Sequence, residues 1–263
     1  MKMKLYSILL LSLMAITTIS WKAAREQWLT EKKGIYSLIY ASSDKVNLEE
    51  YRVLIENGIK VSETFFGAPF KSGFSVYVHP DRHSLDSTWQ KDWNMPEFKS
   101  ECWMVASGVG AKLDMISPLR WDTESCEHKY TETQKTQQLI THELVHVYHG
   151  QLNKSPDFSD VEGVDWFVEG LATFVSGQCD AVRMAEVKKA VAEDHIPASL
   201  DNFWSGKLKY GLSGSMVMYI DSKYGRAKLK ELLPFNKKLE ILVALNISES
   251  DLINNWKAYL LKL

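Results

Sequence analysis

Strand-like alternation of apolar and polar residues dominates the first half of the chain. Residues 33–41 (KGIYSLIYA) and 74–80 (FSVYVHP) are rich in β-branched and aromatic side chains, and both are predicted as strands. Residues 103–117 (WMVASGVGAKLDMIS) predict one or two more strands, with Gly108 and Gly110 marking a turn or bulge. The first half is therefore expected to supply a β-sheet.

Helical spacing occurs early in the chain and then governs its second half. Apolar residues recur every three or four positions across 46–66, and 81–101 is predicted as a loop with a short helix. No βαβ alternation is predicted, so the fold class is α+β, with an N-terminal mixed β-sheet and helices followed by a mainly helical part. The helices predicted beyond residue 120 are 136–149, 164–176, 181–193, 210–224, 226–233 and 249–261.

The first twenty residues have the pattern of an export signal. Two lysines precede a mostly apolar run at 5–19, which is shorter than the roughly 20 residues of a membrane span. Small residues before Trp21 predict cleavage there, and an uncleaved N-terminal anchor is the alternative. We expect a secreted or periplasmic protein with a single domain at 21–263, composed of an α/β part (21–150) and a helical part (151–263).

Charge and cysteine content narrow the possible classes. The 31 basic residues are scattered and balanced by 33 acidic ones, a net charge of −2, so a nucleic-acid-binding protein is not expected. Nine tryptophans suit a well-filled core or an aromatic groove. Cys102 and Cys126 flank a strand-like segment and could form a disulfide in an exported protein; alternatively these two and Cys179 are all buried thiols.

A metal-ligand pattern lies within the predicted helix 136–149. Residues 142–146 read HELVH, which places His142 and His146 one turn apart on the same helix face. Two imidazoles at this spacing can reach one zinc ion at about 2.0–2.1 Å each. Glu143 then has the position of the general base in the known use of this motif.

The third predicted ligand is Glu169. A catalytic zinc ion needs three protein ligands and an open fourth position. Glu169 is a lone carboxylate in the apolar segment 164–176, where burial is costly unless a cation neutralises the charge. A buried glutamate paired with lysine or arginine is the alternative, although 164–176 contains neither residue type.

The remaining histidines are assigned no ligand role. His149 lies three residues after His146 and does not extend the two-ligand geometry. The other four are predicted as surface residues in loops: His79, His83, His128 and His195. The chain contains no C-x-x-C pair, so a cysteine-based structural zinc site is not expected.

The two ligand-bearing segments together resemble the gluzincin metallopeptidases. HELVH at 142–146, followed by WFVEGLA at 166–172, is similar to the peptidase MA-like group, relatives of thermolysin and the zinc aminopeptidases. The second helix of that group carries a W-x-x-E-G-x-A pattern. Residues 210–220 resemble the start of the helix pair after the zinc site, and 103–117 resembles the edge strand that lines the substrate cleft. The resemblance implies a zincin-like fold over roughly residues 46–261.

Carried over position by position, the resemblance assigns roles to site residues. It implies one zinc ion per chain, held by His142, His146 and Glu169, with Glu143 as general base. It also makes Tyr210, at the start of a predicted helix, an oxyanion donor.

The resemblance leaves alternatives and has limits. Tyr219, Tyr224, or no tyrosine at all, are the alternatives to Tyr210 as oxyanion donor. The 22 residues between His146 and Glu169 exceed the spacing in the aminopeptidases, and the G-x-M-E-N exopeptidase motif is missing, so aminopeptidase activity is not implied.

The expected function is hydrolysis of peptide bonds by an exported zinc peptidase that acts on a peptide or protein substrate. The strand at 103–117 would bind an extended peptide by strand addition. Two alternatives stay open: a zinc hydrolase of a non-peptide amide or ester, and an exported zinc-containing binding protein without turnover. Membrane contact is expected only through an uncleaved N-terminal segment, and no oligomeric state or cleavage preference is predicted.

Overall fold

One mixed β-sheet forms the first part of the structure. A computed structural model describes residues 26–263, so the predicted export signal lies outside the described residues. The five strands lie in the order β1-β2-β3-β5-β4, with β2, β3 and β5 parallel and the two outer pairs antiparallel. Their bounds are β1 (Trp28–Lys33), β2 (Tyr36–Ala41), β3 (Phe74–His79), β4 (Ala106–Val109) and β5 (Lys112–Ile116).

Helices cover the sheet and then form the rest of the chain. The first four are α1 (Leu48–Phe66), α2 (Arg82–Asp92), α3 (Trp121–Glu124) and α4 (Thr133–Gly150). The others are α5 (Asp165–Val175), α6 (Ala181–Ala192), α7 (Lys209–Tyr224), α8 (Arg226–Leu232), α9 (Lys238–Leu245) and α10 (Glu249–Leu260). Across residues 26–263, no helix is long and apolar enough to cross a membrane.

The predicted α+β class is confirmed, and so are all six helices predicted beyond residue 120. The expectation of no βαβ unit is wrong, because β2 and β3 are parallel and α1 connects them. Three elements escaped prediction for local reasons, and one of them, α3 (WDTE), is a helix of only four residues. β1 (WLTEKK) is a mostly exposed edge strand, and α9 (KLEILVAL) is a short, largely apolar run without a clear helical period.

Helix α4 is the central element of the molecule. Every residue from Leu139 to Gly150 is buried except Glu143, because α4 packs between α1, the sheet edge β4 and α5. Such burial is possible where glycines allow close contact: a Cβ at Gly58 of α1 would lie 2.5 Å from Cδ1 of Leu144. The helix is thus held on several sides, which gives the side chains of His142 and His146 little freedom to move.

Helix α5 packs against α4 and, just as closely, against α7. A Cβ at Gly170 would collide with the carbonyl oxygen of Ser213 in α7. Likewise, Gly214 lies against Thr173 and Cys179, where a Cβ would lie 2.6 Å from the Cys179 sulfur. These small residues allow α7 to begin directly beside the helix that carries Glu169.

Candidate metal centre

Helices α4 and α5 bring three potential metal ligands together. The Nε2 atoms of His142 and His146 lie 3.0 Å apart. Oε2 of Glu169 lies 3.3 Å from Nε2 of His142 and 3.6 Å from Nε2 of His146. Ligand atoms about 2.0–2.1 Å from a common zinc ion in tetrahedral geometry are separated by about 3.3 Å. The three donor atoms therefore fit a single ion, and the group of two histidines and one glutamate could hold a metal.

Gln178, in the loop after α5, orients one of these ligands. Its Oε1 lies 3.0 Å from Nδ1 of His142. An amide oxygen can only accept a hydrogen bond, so Nδ1 of His142 donates, and its Nε2 keeps a lone pair directed at the other two ligands. Nδ1 of His146 is also buried, but it has no hydrogen-bond partner among the described residues. The two histidines are thus oriented differently, one by a side chain and one by packing alone.

The charges within the group favour an ionised glutamate. Burial by itself would raise the pKa of Glu169, but the adjacent His146 and His142 outweigh it and lower the pKa well below its ordinary value. Burial by itself would lower the pKa of His146, and the charge of Glu169 raises it above the ordinary value. In the described part of the chain, no lysine or arginine forms an ion pair with Glu169. The alternative of a lysine- or arginine-paired glutamate is therefore not what the structure shows.

Glu143 differs from its neighbours because its side chain is partly exposed. It is the one residue between Leu139 and Gly150 that is not buried, and it lines the cleft beside the histidines. Its carboxylate makes no hydrogen bond within residues 26–263. The group is therefore positioned next to the triad and open to a molecule in the cleft.

A cleft of about 810 Å³ opens onto the three potential ligands. One wall is the segment 105–109, which includes β4, the last strand of the sheet. Among residues 26–263, β4 pairs with β5 on one side only, so its other edge has backbone groups available for pairing. The structure thus places the predicted edge strand along the cleft, in a cavity of the size that binds small molecules and short peptides.

Of the three tyrosines that the sequence offered as oxyanion donors, Tyr210 is the one that lines the cleft. It is the second residue of α7, and its ring centroid lies 6.2 Å from that of His142. Burial, with a smaller effect from the charges of Glu169 and Glu143, raises its pKa, so the phenol stays protonated and can donate a hydrogen bond. Tyr219 packs instead against Tyr259 at 5.3 Å, and neither Tyr219 nor Tyr224 lines the cleft.

The expectation that His79 is a surface loop residue is wrong. His79 ends the central strand β3 and is 1% exposed. Its Nε2 lies 3.0 Å from Oδ1 of Asp114, and its Nδ1 lies 3.1 Å from Oγ of Ser84. A strand flanked by two others buries even its terminal side chain, and this histidine is satisfied by partners that the sequence places 35 and 5 residues away.

The other histidines outside the triad divide into three cases. His195 is an exposed loop residue, as predicted, whereas His83 is exposed but lies in α2. His128 is half-buried and lines the cleft, which corrects its assignment to the surface, and burial lowers its pKa. His149 is buried away from the triad, with Nε2 donating to the carbonyl oxygen of Leu233 at 3.1 Å.

A disulfide joins two segments of the cleft wall. Cys102 and Cys126 are bonded, with Cα atoms 5.5 Å apart, and Cys179 is a free thiol. Trp103 follows the first of these cysteines and His128 lies close after the second, and both line the cleft. Of the two states left open by the sequence, the disulfide is the one present in the structure.

Several cleft residues carry no signal in the sequence. Gln178, Arg183 and Lys209 belong to no motif, and they reach the site from the loop after α5, from α6 and from α7. Trp103 and Trp204 also line the cleft. The high tryptophan content was the only indication of an aromatic wall, and it could not specify which tryptophans form it.

Comparison with known proteins identifies no family for this chain. No protein-family model matches it, and no curated protein matches its sequence. The resemblance to gluzincins therefore depends on the residues around HELVH and on the WFVEGLA segment. What the structure adds is a group of two histidines and one glutamate that could hold a metal ion.

Proposed function

We propose that this protein is a zinc-dependent peptidase that hydrolyses peptide bonds in the cleft beside α4 and α5. One observation carries the proposal: three potential zinc ligands, a partly exposed glutamate and an unpaired strand edge meet in the same cleft. The ligand set of two histidines and one glutamate, with room for a fourth ligand, is a zinc set of hydrolytic enzymes. The resemblance to gluzincins assigns the same residues to the same roles.

The chain's own residues supply the proton transfers. A zinc ion bound by the three ligands would polarise the scissile carbonyl group and lower the pKa of a water molecule toward about 7. Glu143 accepts the proton of the attacking water and passes it to the leaving amine. The protonated phenol of Tyr210 donates a hydrogen bond to the oxyanion that develops on the substrate carbonyl oxygen.

The edge strand β4 would hold the substrate. An extended peptide lying along the free edge of β4 can pair with its backbone groups, which provides affinity with little dependence on sequence. The same edge runs past Glu143, because Gly108 lies against the backbone of that residue. A peptide bound in this way would cross the cleft next to the general base.

We also propose that the protein acts outside the cytoplasm. Its N-terminal sequence has the pattern of an export signal, and the Cys102–Cys126 disulfide is of the kind that persists in oxidising compartments. The substrate would then be a peptide or protein of that compartment.

Metal analysis and peptide cleavage together test the proposed function. We expect about one zinc ion per purified chain, and a sharp loss of zinc when His142, His146 or Glu169 is replaced by alanine. Glu143→Gln should keep zinc and lower peptide hydrolysis by about 10² or more, since it removes the proton acceptor but no ligand. Glu231→Gln, an exposed change on α8, is the matched control and should leave both unchanged.

Two results would contradict the proposal in different ways. Full zinc content in Glu169→Ala would exclude Glu169 as a ligand. A zinc-loaded parent protein that cleaves no member of a broad fluorogenic peptide library would favour a binding protein without turnover, or a hydrolase of non-peptide amides or esters.

A further inference from the structure

The side of the cleft formed by α6 and α7 is basic and aromatic. Nζ of Lys209 lies 4.6 Å from the ring centroid of Trp103, 4.7 Å from that of Trp204 and 5.3 Å from that of Tyr210. Ring faces attract an ammonium group without neutralising its charge. The three rings therefore hold the Lys209 ammonium in the cleft, and its N–H donors make no hydrogen bond to any described residue.

Arg183 adds a second cation beside the same tyrosine. Its guanidinium carbon lies 5.4 Å from the ring centroid of Tyr210, and Nη1 donates to the carbonyl oxygen of Gln178 at 2.5 Å. The rest of the guanidinium group makes no hydrogen bond within the described chain. Both cations are therefore positioned by aromatic and backbone groups rather than by acidic residues.

In the described part of the structure, Lys209 and Arg183 lack the counter-ion that several other half-buried cations have. Within residues 26–263, neither Lys209 nor Arg183 forms an ion pair through its side chain. By contrast, Lys238 pairs with Asp201 at 2.6 Å and with Glu249 at 3.3 Å, and Lys112 pairs with Asp114 at 2.6 Å. Partly desolvated cations without an anion are costly, and a negatively charged ligand would remove that cost.

The cations lie close to the proposed reaction site. Tyr210 lies between the cations and the proposed reaction site. Its ring contacts both Arg183 and Lys209, and its ring centroid lies 6.2 Å from that of His142. Of the carboxylates that line the cleft, Glu143 and Glu169 lie on α4 and α5, at the triad. The cleft is also lined by Glu127, Asp157 and Asp165, and none of these five forms an ion pair with Lys209 or Arg183 within residues 26–263. The cleft thus has an acidic, ligand-bearing part and an adjacent cationic part, so an anionic group of a bound peptide is attracted to the second.

We propose that Lys209 and Arg183 form a subsite for a carboxylate group of the substrate, with Trp103 and Trp204 as its walls. This inference rests on the proposed peptidase function and adds a substrate class to it. Two sources supply the same chemistry: the C-terminal carboxylate of a peptide, and the side chain of an aspartate or glutamate. Both would accept charge-assisted hydrogen bonds from the two cations.

Binding to the full-length Glu143→Gln protein tests this subsite without cleavage. Calorimetry would use four acetylated pentapeptides of alanine and leucine: one with a free C-terminus, its C-terminal amide, and amides containing a single glutamate or a single glutamine. We expect the free acid, the glutamate peptide, or both to bind about 10-fold or more tightly than their neutral counterparts. The pair that shows the difference identifies the source of the carboxylate.

Lys209→Met in the same protein should remove this preference, because methionine keeps the apolar stem and lacks the charge. Lys223→Met is the matched control, since Lys223 is an exposed lysine near the other end of α7. It should leave the preference intact. Near-ultraviolet circular dichroism of each variant would verify that the aromatic surroundings are unchanged.

Three outcomes distinguish failure of the subsite from failure of the proposed function. Equal binding of charged and neutral peptides, or a preference that survives Lys209→Met, would overturn the subsite while leaving the peptidase proposal standing. A Lys209-dependent carboxylate preference, together with a zinc-loaded parent protein that has Glu143 and still cleaves no peptide, would support the subsite and overturn the peptidase. Failure of all four peptides to bind would overturn the subsite and count against a peptide substrate.

Discussion

At the scale of single residues, the candidate metal centre depends on the groups that orient its potential ligands. Gln178 accepts from Nδ1 of His142, whereas Nδ1 of His146 has no partner in the described structure. A residue that hydrogen-bonds to the ring nitrogen not bound to the metal fixes the tautomer and the ring orientation of a ligating histidine. We therefore expect the loop after α5 to contribute to the affinity of the proposed metal site without supplying a ligand.

Gln178→Leu should lower zinc affinity by about 10- to 100-fold, because His142 loses the acceptor that fixes its ring. Competition with a chromophoric chelator would measure the affinity. Gln137→Leu is the control, since Gln137 is also a glutamine that bonds through its side chain, but to Leu54 and Thr141 rather than to a ligand. Equal affinities for the parent and Gln178→Leu would mean that packing alone orients His142.

Tyr210→Phe should lower kcat by about 10²–10³ and leave zinc content and KM nearly unchanged, because the lost hydrogen bond forms fully only in the transition state. Steady-state kinetics on a peptide cleaved by the parent would measure both constants. Tyr219→Phe removes a hydroxyl group from a tyrosine outside the cleft and should leave kcat as it is. An unaltered kcat in Tyr210→Phe would exclude this tyrosine as oxyanion donor.

At the scale of elements, the contact between β4 and α4 joins the outer strand of the sheet to the helix that carries His142, Glu143 and His146. Gly108 is the point of contact, since a Cβ there would collide with the carbonyl oxygen of Glu143 and lie 3.1 Å from Cβ of His146. Gly110 makes a similar approach to Gly150 at the end of α4. The sheet edge can lie directly beside Glu143, the proposed general base, only because Gly108 and Gly110 have no side chain.

Gly108→Ala should destabilise the protein by about 1–3 kcal/mol, because the added methyl group forces β4 away from α4. Urea denaturation would measure the loss. The same displacement should lower kcat/KM, because it moves β4, the strand proposed to bind the substrate, away from Glu143, the proposed general base. Gly73→Ala is the control: its Cβ would meet only the carbonyl oxygen of Ile35 at 3.2 Å, and it should cost less. Equal midpoints for Gly108→Ala and the parent would show that β4 adjusts without cost.

At the scale of the whole molecule, a buried histidine connects α4 to the C-terminal helices. Nε2 of His149 donates to the carbonyl oxygen of Leu233, immediately after α8, and Asn153 donates to the same oxygen at 2.8 Å. Burial, and to a smaller extent the charge of His146, lowers the pKa of His149 from 6.5 to about 3. The residue is therefore neutral in the folded protein over most of the acidic range.

This shift predicts a loss of stability in mild acid. Between pH 6.5 and about 3, the unfolded chain binds a proton at His149 and the folded protein does not, so stability falls as pH falls. The slope from one such proton is about 1.4 kcal/mol per pH unit. Urea unfolding from pH 6.5 to 4.5, with a chelator present so that metal release does not contribute, would measure it.

His149→Gln should flatten this pH dependence, because its amide can still donate to Leu233 but does not titrate. His195→Gln, a change at an exposed loop histidine, should leave the dependence unchanged. If His149→Gln and the parent lose stability equally between pH 6.5 and 4.5, burial of His149 is not the cause.

The three potential metal ligands and the helical second half could be predicted from the sequence because their signals are local. His142 and His146 are one helical turn apart, and Glu169 is the only charged residue in the interior of an apolar helical segment. The surroundings of His79 could not be predicted in this way. Its burial depends on strands β2 and β5, and its partner Asp114 is 35 residues away.

By itself, the sequence determined the fold class, the three potential ligands and the adjacent glutamate, because periodicity and short spacing are properties of neighbouring residues. Only the tertiary structure decided which residues form the cleft. Trp103, Gln178, Arg183 and Lys209 come from four separate places in the chain and meet there because of how α4 to α7 pack against the sheet edge. Contacts between distant segments depend on the packing of whole elements, and no local pattern of residues encodes them.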